Sequence, residues 1–226
     1  MKKLLITIDG PAGAGKTTVS RALAERLQYR YIDTGALYRG VALEARENGI
    51  PPEDDQGLEA LCKGLELAFI RNENGVRLYS GETDISDAIR TPEMSMMASA
   101  VSARMVVRKA LLDIQRRMGA EKGAVFEGRD MGTVVFPDAD VKFFLTADLN
   151  VRAIRRHREL EEKQAAQKFE EVEKDMALRD AADSSRALAP LKPAQDAVFI
   201  DSTEISAQSV IDQMMKHIRK KIDDAA

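Results

Sequence analysis

The chain contains no tryptophan, one cysteine and two histidines among 226 residues, and only 5% of it is aromatic. A lone cysteine, Cys62, permits no internal disulfide and suits a reducing compartment; its setting reads as a small apolar residue on a helix, not a nucleophile. Neither His157, in a highly charged stretch, nor His217, near the C-terminal end, sits where a general base would be placed. The scarcity of aromatics removes the stacking platforms of single-strand binders. A net charge of −3 and a pI near 5.6 likewise remove the broad basic face of a general nucleic-acid or membrane-surface binder. Long apolar runs are missing too: Leu4 to Ile8 ends at Asp9, too short for a secretory core, and nothing approaches a membrane span. The expectation is a cytoplasmic protein that contacts neither nucleic acid nor membrane. A hydrophobic content of 44% is enough for a packed core.

What is present begins with LLITIDGPAGAGKTT, from Leu4 to Thr18. Gly10, Gly15, Lys16 and Thr17 match Gly-x-x-x-x-Gly-Lys-Ser/Thr, the loop in which backbone N–H groups cradle a polyphosphate, a lysine reaches its outer phosphates and a hydroxyl holds Mg²⁺. Glycines at each end let the backbone curl around phosphate without a Cβ in the way, and a helix beginning at Gly15 aims its positive end at the anion. By residue frequencies the pattern arises by chance in a chain of this length roughly one time in a hundred. The context is also right, with an unalternating apolar strand before it and helical periodicity after it, Ala22, Leu23 and Leu27 pointing inward.

Further along, Tyr31-Ile32-Asp33 reads as a strand, and Thr34 is placed to cap a helix from about Gly35 to Glu47. Asp54 and Asp55 open another helix. Between Leu65 and Ile85 two short strands flank Asn72-Glu73-Asn74-Gly75, a hairpin standing apart from the main sheet. Thr91-Pro92-Glu93 opens a long helical region to about Met118 that breaks once; Met94, Met96, Met97 and Met105 read as flexible core filling. Ala124 to Phe126 and Val141 to Leu145 are buried strands. A charged helical stretch follows from Asp148 to about Asp183, then a loop with two prolines, a last strand Val198 to Ile200, and a helix from Glu204 to Ile222. Roughly five apolar strands alternating with helices predict an α/β fold, a parallel sheet covered on both faces with ligands at the carboxyl ends of its strands.

A phosphate loop leaves switch GTPases, mechanical ATPases and small-substrate kinases open. No Asn-Lys-x-Asp of the guanine-selecting kind is present, whereas arginines gather near the predicted rim: Arg39, Arg129, Arg152, Arg155, Arg156, Arg179 and Arg186. For the helix arginines 152, 155 and 156 a solvated face balanced by nearby glutamates is an equal reading. Arg39, Arg129 and Arg186 are expected in loops, where guanidinium forks suit phosphate oxygens. Phosphoryl transfer between two polyanions explains this inventory and the missing base, since an acceptor that is itself a phosphate is largely ionised at neutral pH. Asp33 stands as a candidate base should the acceptor be a sugar or hydroxy acid.

At this point the chain resembles the bacterial cytidylate kinase family. The resemblance rests on IDGPAGAGKTT, DTGALYRG, the hairpin insertion, EGRDMGTVVFPDADVKFFL, RDAADSSRALAPL and the closing DST, nearly the whole length. It implies a three-layer P-loop NTPase core with an inserted nucleoside-monophosphate-binding region and a helical lid, transferring phosphoryl from ATP to CMP or dCMP with Mg²⁺. In this sequence the core would be residues 1–33, 120–150 and 191–226, the monophosphate-binding region 34–119 with an insertion at about 65–90, and the lid about 151–190. Gly10, Pro11, Ala12, Gly13, Ala14, Gly15, Lys16, Thr17 and Thr18 would bind ATP, with Thr17 on Mg²⁺. Arg39, Arg129 and Arg186 would hold the CMP phosphate; Tyr38 and Asp183 would lie near the ribose; Ser99, Arg108 and Asp130 would read cytosine; Thr34 would also contact CMP. Lys16, Arg129, Arg155, Arg179 and Arg186 would carry the chemistry. The resemblance also implies a monomer. Glu127 stands where the family more often has aspartate, and Ala182 where some members have arginine. The alternatives are a P-loop kinase of another acceptor, such as UMP or AMP, and a non-catalytic nucleotide-binding switch.

Overall fold

A mainly apolar segment is satisfied by burial on both faces, and Leu5–Asp9 forms such a strand, β1, buried at every position including Thr7 and Asp9. The computed structural model describes residues 3–73, 75–162 and 167–223. In chain order the elements are β1, α1 (Lys16–Leu27), β2 (Arg30–Asp33), α2 (Thr34–Glu47), α3 (Asp55–Gly64), β3 (Leu67–Asn72), β4 (Gly75–Ser80) and β5 (Thr83–Asp84). There follow α4 (Pro92–Ser102), α5 (Met105–Gly119), β6 (Ala124–Gly128), β7 (Val141–Thr146), α6 (Leu149–Glu162), α7 (Phe169–Ser185), β8 (Val198–Asp201) and α8 (Ala207–Asp223). The chain divides into two units, residues 1–32 with 119–226, and residues 33–118.

The expected five-stranded parallel sheet is present, in the order β2-β6-β1-β7-β8. β1 lies at its centre, Leu5 opposite Ala124 of β6 and Ile6 opposite Val141 of β7, all parallel. Helices α1 and α8 contribute Val19, Leu23, Val210, Met214 and Ile218 to one core with Ile6, Ile8, Val125, Phe143 and Leu145. Each such large side chain, moved out of water, stabilises the unit by about 1.5–3 kcal/mol. On α1 the buried stripe runs through Val19, Ser20, Leu23 and Ala24; Ala22 and Leu27, expected inward, are only half-buried.

The unit of residues 33–118 has its own core, built on Leu37, Val41, Leu58, Leu78, Ile89, Met94, Val101, Val107 and Leu111. Gly40 on α2 allows a close approach, for a Cβ there would stand 3.1 Å from the Leu67 side chain. The hairpin is longer than expected: β5 adds a third antiparallel strand to β3 and β4. Gly75 takes a left-handed φ of 98° at the turn, while Asn74 of the Asn-Gly signal lies outside the described residues.

Several boundaries differ from expectation for local reasons. Asp33, not Thr34, caps α2, because its carboxylate reaches the Ala36 N–H at 3.1 Å. Thr91 caps α4 as predicted, accepting from Met94 N–H at 3.1 Å. Of the four methionines expected inside, Met94 is buried and Met97 packs at the margin, but Met96 and Met105 are exposed. The charged stretch after Asp148 forms two helices, α6 and α7, and its central part, residues 163–166, lies outside the described residues. The closing helix starts at Ala207, where the Ser206 hydroxyl accepts the Ser209 N–H at 3.1 Å.

Candidate active site

Three adjacent strands, β6, β1 and β7, end at the same side of the sheet, and each hands the chain to a segment rich in charge or glycine. After β1 come residues 10–15. Gly10, Gly13 and Gly15 have φ of 150°, 72° and 87°, conformations that side chains rarely adopt. Gly10 is also fixed by space, since a Cβ there would fall 1.9 Å from the Leu145 carbonyl oxygen. Gly15 precedes the first turn of α1 with no side-chain cap among the described residues, so its leading N–H groups are left for an anion.

Lys16 is almost completely buried, with Nζ donating to the Pro11 carbonyl at 2.6 Å. Burial, and next the nearby Arg129 charge, push its ammonium down to about 7. The negative charge of a polyphosphate beside it would offset both influences and favour the ammonium. Thr17 and Thr18 are exposed at the mouth of the loop. Thr17 Oγ1 donates to Glu127 Oε1 at 2.8 Å. Among the described residues there is no group of three or more His, Cys, Asp or Glu that could hold a metal. The hydroxyl and carboxylate pair nonetheless fits a magnesium ion, which takes hard oxygen donors, keeps waters and shares its shell with phosphates.

After β6 stand Arg129 and Asp130, then a π-helical turn, Met131–Val135. Arg129 Nε donates to Asp183 Oδ2 at 2.9 Å. Arg179 Nε lies 4.0 Å from the same oxygen, and Arg186 Nη1 lies 3.9 Å from Asp183 Oδ1. Arg186 also approaches Asp130 Oδ1 at 3.9 Å and donates from Nε to the Ala189 carbonyl at 2.7 Å. Burial opposes ionisation of Asp183, yet the charges of Arg129, Arg179 and Arg186 hold its carboxyl below the usual range. Three guanidinium groups are thus gathered on one carboxylate, close enough for Arg129 and Arg179 to depress Lys16.

Arg155 does not join them. Its Nη1 and Nη2 donate to the Ser202 hydroxyl and carbonyl at 3.0 and 2.7 Å. Arg152 is buried, donating to the Ala147 carbonyl at 2.7 Å and the Ala12 carbonyl of the loop at 3.1 Å. Arg156 pairs with Glu159, the solvated arrangement weighed above.

In the unit of residues 33–118, Arg39 sits within α2 rather than in a loop, and its Nη2 donates to Asp33 Oδ2 at 2.8 Å. With Asp33 Oδ1 on Ala36 N–H, both oxygens of this candidate base accept a hydrogen bond, one as the α2 cap and one from Arg39. Arg39 Nε is buried without a hydrogen-bond partner, an open donor on a group built for oxyanions. Arg108, also buried, lies over the Tyr38 ring at 5.6 Å and donates to the Ser102 carbonyl at 3.0 Å. The Ser102 hydroxyl in turn donates to the Ser99 carbonyl at 2.8 Å, which brings Tyr38, Ser99 and Arg108 into one neighbourhood. Thr34 is buried at the start of the same helix.

Two residues escaped the sequence reading as working parts, and a third, Arg152, was named there for the rim but holds the loop. Asp9 holds the turn after Asp130, and Ser202 joins Arg155 to the carbonyls of Thr146 and Ala14. Arg152 braces the loop at Ala12. A signal existed for Asp9, since an acid that closes an all-apolar strand must have a buried partner. Cys62 is half-buried, and burial pushes its thiol up, in keeping with an unreactive packing role.

A parallel sheet with this loop after its central strand, a buried lysine in the loop and arginines beside it define a P-loop phosphotransferase. A gluconokinase structure from Sinorhizobium meliloti shares the fold alone, with a TM-score of 0.51 at 14% identity, over 99% of this chain and 95% of that one. The family model for cytidylate kinase matches residues 6–220, and the chain belongs to that family. A cytidylate kinase of Geobacter sulfurreducens is 50% identical over 218 residues, 96% of this chain and 94% of its own. One from Carboxydothermus hydrogenoformans is 42% identical over 218 residues, 96% of this chain and 98% of its own. Among the described residues no helix is long and apolar enough to cross a membrane.

Proposed function

We propose that this chain transfers the γ-phosphoryl group of ATP to CMP or dCMP, giving ADP and CDP or dCDP. The observation that carries the reading is the gathering of Arg129, Arg179 and Arg186 on Asp183 beside the buried Lys16. A nucleotide-binding switch needs one polyphosphate site; this concentration of cations suits the charge spread between two phosphates during transfer.

ATP phosphates lie along residues 10–18, with N–H groups of the loop, Lys16 and the Thr18 hydroxyl as donors. Arg39, Arg129 and Arg186 take the CMP phosphate, with Thr34 beside them. Tyr38 and Asp183 serve the ribose, and Ser99, Arg108 and Asp130 the cytosine. Arg179 neutralises the moving phosphoryl group, and Arg155 does the same once it exchanges Ser202 for phosphate. Thr17 and Glu127 hold Mg²⁺, which when bound neutralises and aligns the triphosphate. No general base is needed, because the acceptor is already an ionised phosphate. Residues 34–119 bind the monophosphate, and residues 151–190 act as a lid whose closure excludes water and limits idle ATP hydrolysis. The protein works as a cytoplasmic monomer, apart from nucleic acid and membrane.

Cytosine is selected because a carboxylate accepts from its amino group, as in duplex readout, whereas uracil presents a carbonyl at the same place. That unpaired contact costs about 1–3 kcal/mol. ADP release should therefore be measured from ATP with CMP, dCMP, UMP, AMP and shikimate. CMP and dCMP are expected to exceed UMP at least tenfold in kcat/KM, by the same free-energy difference. Equal rates with UMP, or no acceptor dependence, overturn the reading.

A further inference from the structure

Asp9 closes β1 immediately before the phosphate loop and is almost wholly buried. Its Oδ1 accepts the Met131 N–H at 2.9 Å and its Oδ2 accepts the Gly132 N–H at 2.8 Å, so both oxygens face the turn that follows Asp130. The turn is stiff in itself. The Asp130 carbonyl accepts from Val134 and Val135 at 2.9 and 3.2 Å, and the Met131 carbonyl accepts from Phe136 at 2.7 Å. It also sits directly on β1, because a Cβ on Gly132 would stand 3.1 Å from Thr7 Oγ1 and 3.4 Å from Asp9 Oδ2.

A buried carboxylate is a costly anchor for a turn. Burial pushes Asp9 up to about 6 in spite of its two N–H donors, and the neighbouring Asp130 charge adds to the strain. A neutral acceptor could satisfy one N–H as well. What two oxygens on a rigid strand supply, and one does not, is a fixed orientation for the residues just ahead of the turn. Those residues are Arg129, bonded to Asp183, and Asp130, 3.9 Å from Arg186.

We infer that Asp9 is a positioning residue for the acceptor: by gripping the N–H groups of Met131 and Gly132 it sets where Asp130 and Arg129 meet the nucleoside monophosphate. The inference rests on the proposed function and deepens it. Because Gly10 follows Asp9 directly, one strand end carries both the first residue of the ATP loop and the anchor of two acceptor residues. A chain that placed the loop correctly but let the turn drift would still bind ATP and would lose its grip on cytidylate.

The test compares wild type, Asp9→Asn, Gly132→Ala and Ile8→Val by steady-state kinetics with CMP and UMP at saturating ATP, together with thermal unfolding. Asp9→Asn keeps the shape and loses one acceptor. It is expected to raise KM for CMP about tenfold and to lower the CMP:UMP ratio of kcat/KM by a similar factor, with KM for ATP within about twofold of wild type. Gly132→Ala, whose new methyl crowds Thr7 Oγ1 at 3.1 Å and Asp9 Oδ2 at 3.4 Å, should move the same two quantities in the same direction, and it decides the matter if Asp9→Asn fails to fold. Ile8→Val removes a methyl from the same strand and leaves both acceptors in place; it should lower the melting temperature without altering KM for CMP. A purely structural Asp9 would instead lower the melting temperature, or kcat with every acceptor alike, and leave KM and the CMP:UMP ratio unchanged; that result overturns the inference alone. A wild-type enzyme inactive on CMP overturns the proposed function and this inference with it.

Discussion

On the proposed function, the glycine-rich loop and the arginines held on carboxylates handle the same kind of ligand with different materials. Residues 10–15 present backbone N–H groups held by three left-handed or otherwise restricted glycines, and no side chain fits at Gly10, where a Cβ would meet the Leu145 carbonyl. The arginines are long, mobile side chains, and the protein steadies them on carboxylates: Arg129, Arg179 and Arg186 on Asp183, and Arg39 on Asp33. The loop is complete before ATP arrives. On the proposed function the arginines exchange a carboxylate for a phosphate, which makes their contribution to binding a difference between two ion pairs rather than the whole of one. A kinase gains from that division: tight, indifferent capture of the common triphosphate, and a more demanding exchange where the acceptor must be recognised.

The comparison can be broken in four places. Lys16→Ala removes the loop side chain proposed to reach the outer phosphates, and kcat is expected to fall by about three orders of magnitude with the fold retained. A rate near normal in a coupled assay would take the lysine out of the mechanism. Arg186→Ala should raise KM for CMP by roughly 10–100-fold while leaving ATP affinity alone. A change confined to ATP would assign this arginine to the wrong substrate.

The third test uses pH. An unfolded lysine keeps its proton to about 10.5, whereas burial and the Arg129 charge push folded Lys16 down to about 7. Between those values unfolding takes up a proton, so stability rises with pH through this group, and its penalty is fully present below about 7. Lys16→Met should be more stable than wild type at pH 6.5, and the gap should shrink by on the order of 2 kcal/mol by pH 9 in urea unfolding. A gap independent of pH would mean that the ammonium is not buried at a cost. The smallest effect is expected at Asp33→Ala, which loses the α2 cap and frees Arg39. Stability should fall by about 1 kcal/mol, and KM for CMP should drop if Asp33 competes with phosphate; an increase in that KM would make Asp33 a support rather than a competitor.

The sheet and the loop were readable from residues alone because their cause is local. Glycine spacing around Lys16 and unbroken apolar runs such as Leu4 to Ile8 leave few conformations open. The arginines were visible as residues but not as an assembly. Nothing in the spacing of Arg129, Arg179, Asp183 and Arg186 says that one carboxylate would collect three guanidinium groups, since that depends on how α7 lies against the end of β6. Arg155 shows the opposite limit, an arginine on the expected helix that is occupied by Ser202. Asp9 was passed over because it looked like the end of a strand, and only its two N–H partners, far along the chain, give it a purpose.

The strand order has a consequence for the chain as it is made. β1 leaves the ribosome well before its neighbours β6 and β7, which are roughly 120–135 residues further on. At about 5–20 residues per second the nascent strand waits on the order of 6–25 s for a partner. Residues 33–118 form a contiguous unit with its own core and can close during that interval. The apolar segment that ends as the best-protected strand of the sheet therefore spends its early life as the most exposed one, and its brevity, with Lys3 before it and Asp9 at its end, limits the harm it can do while it waits.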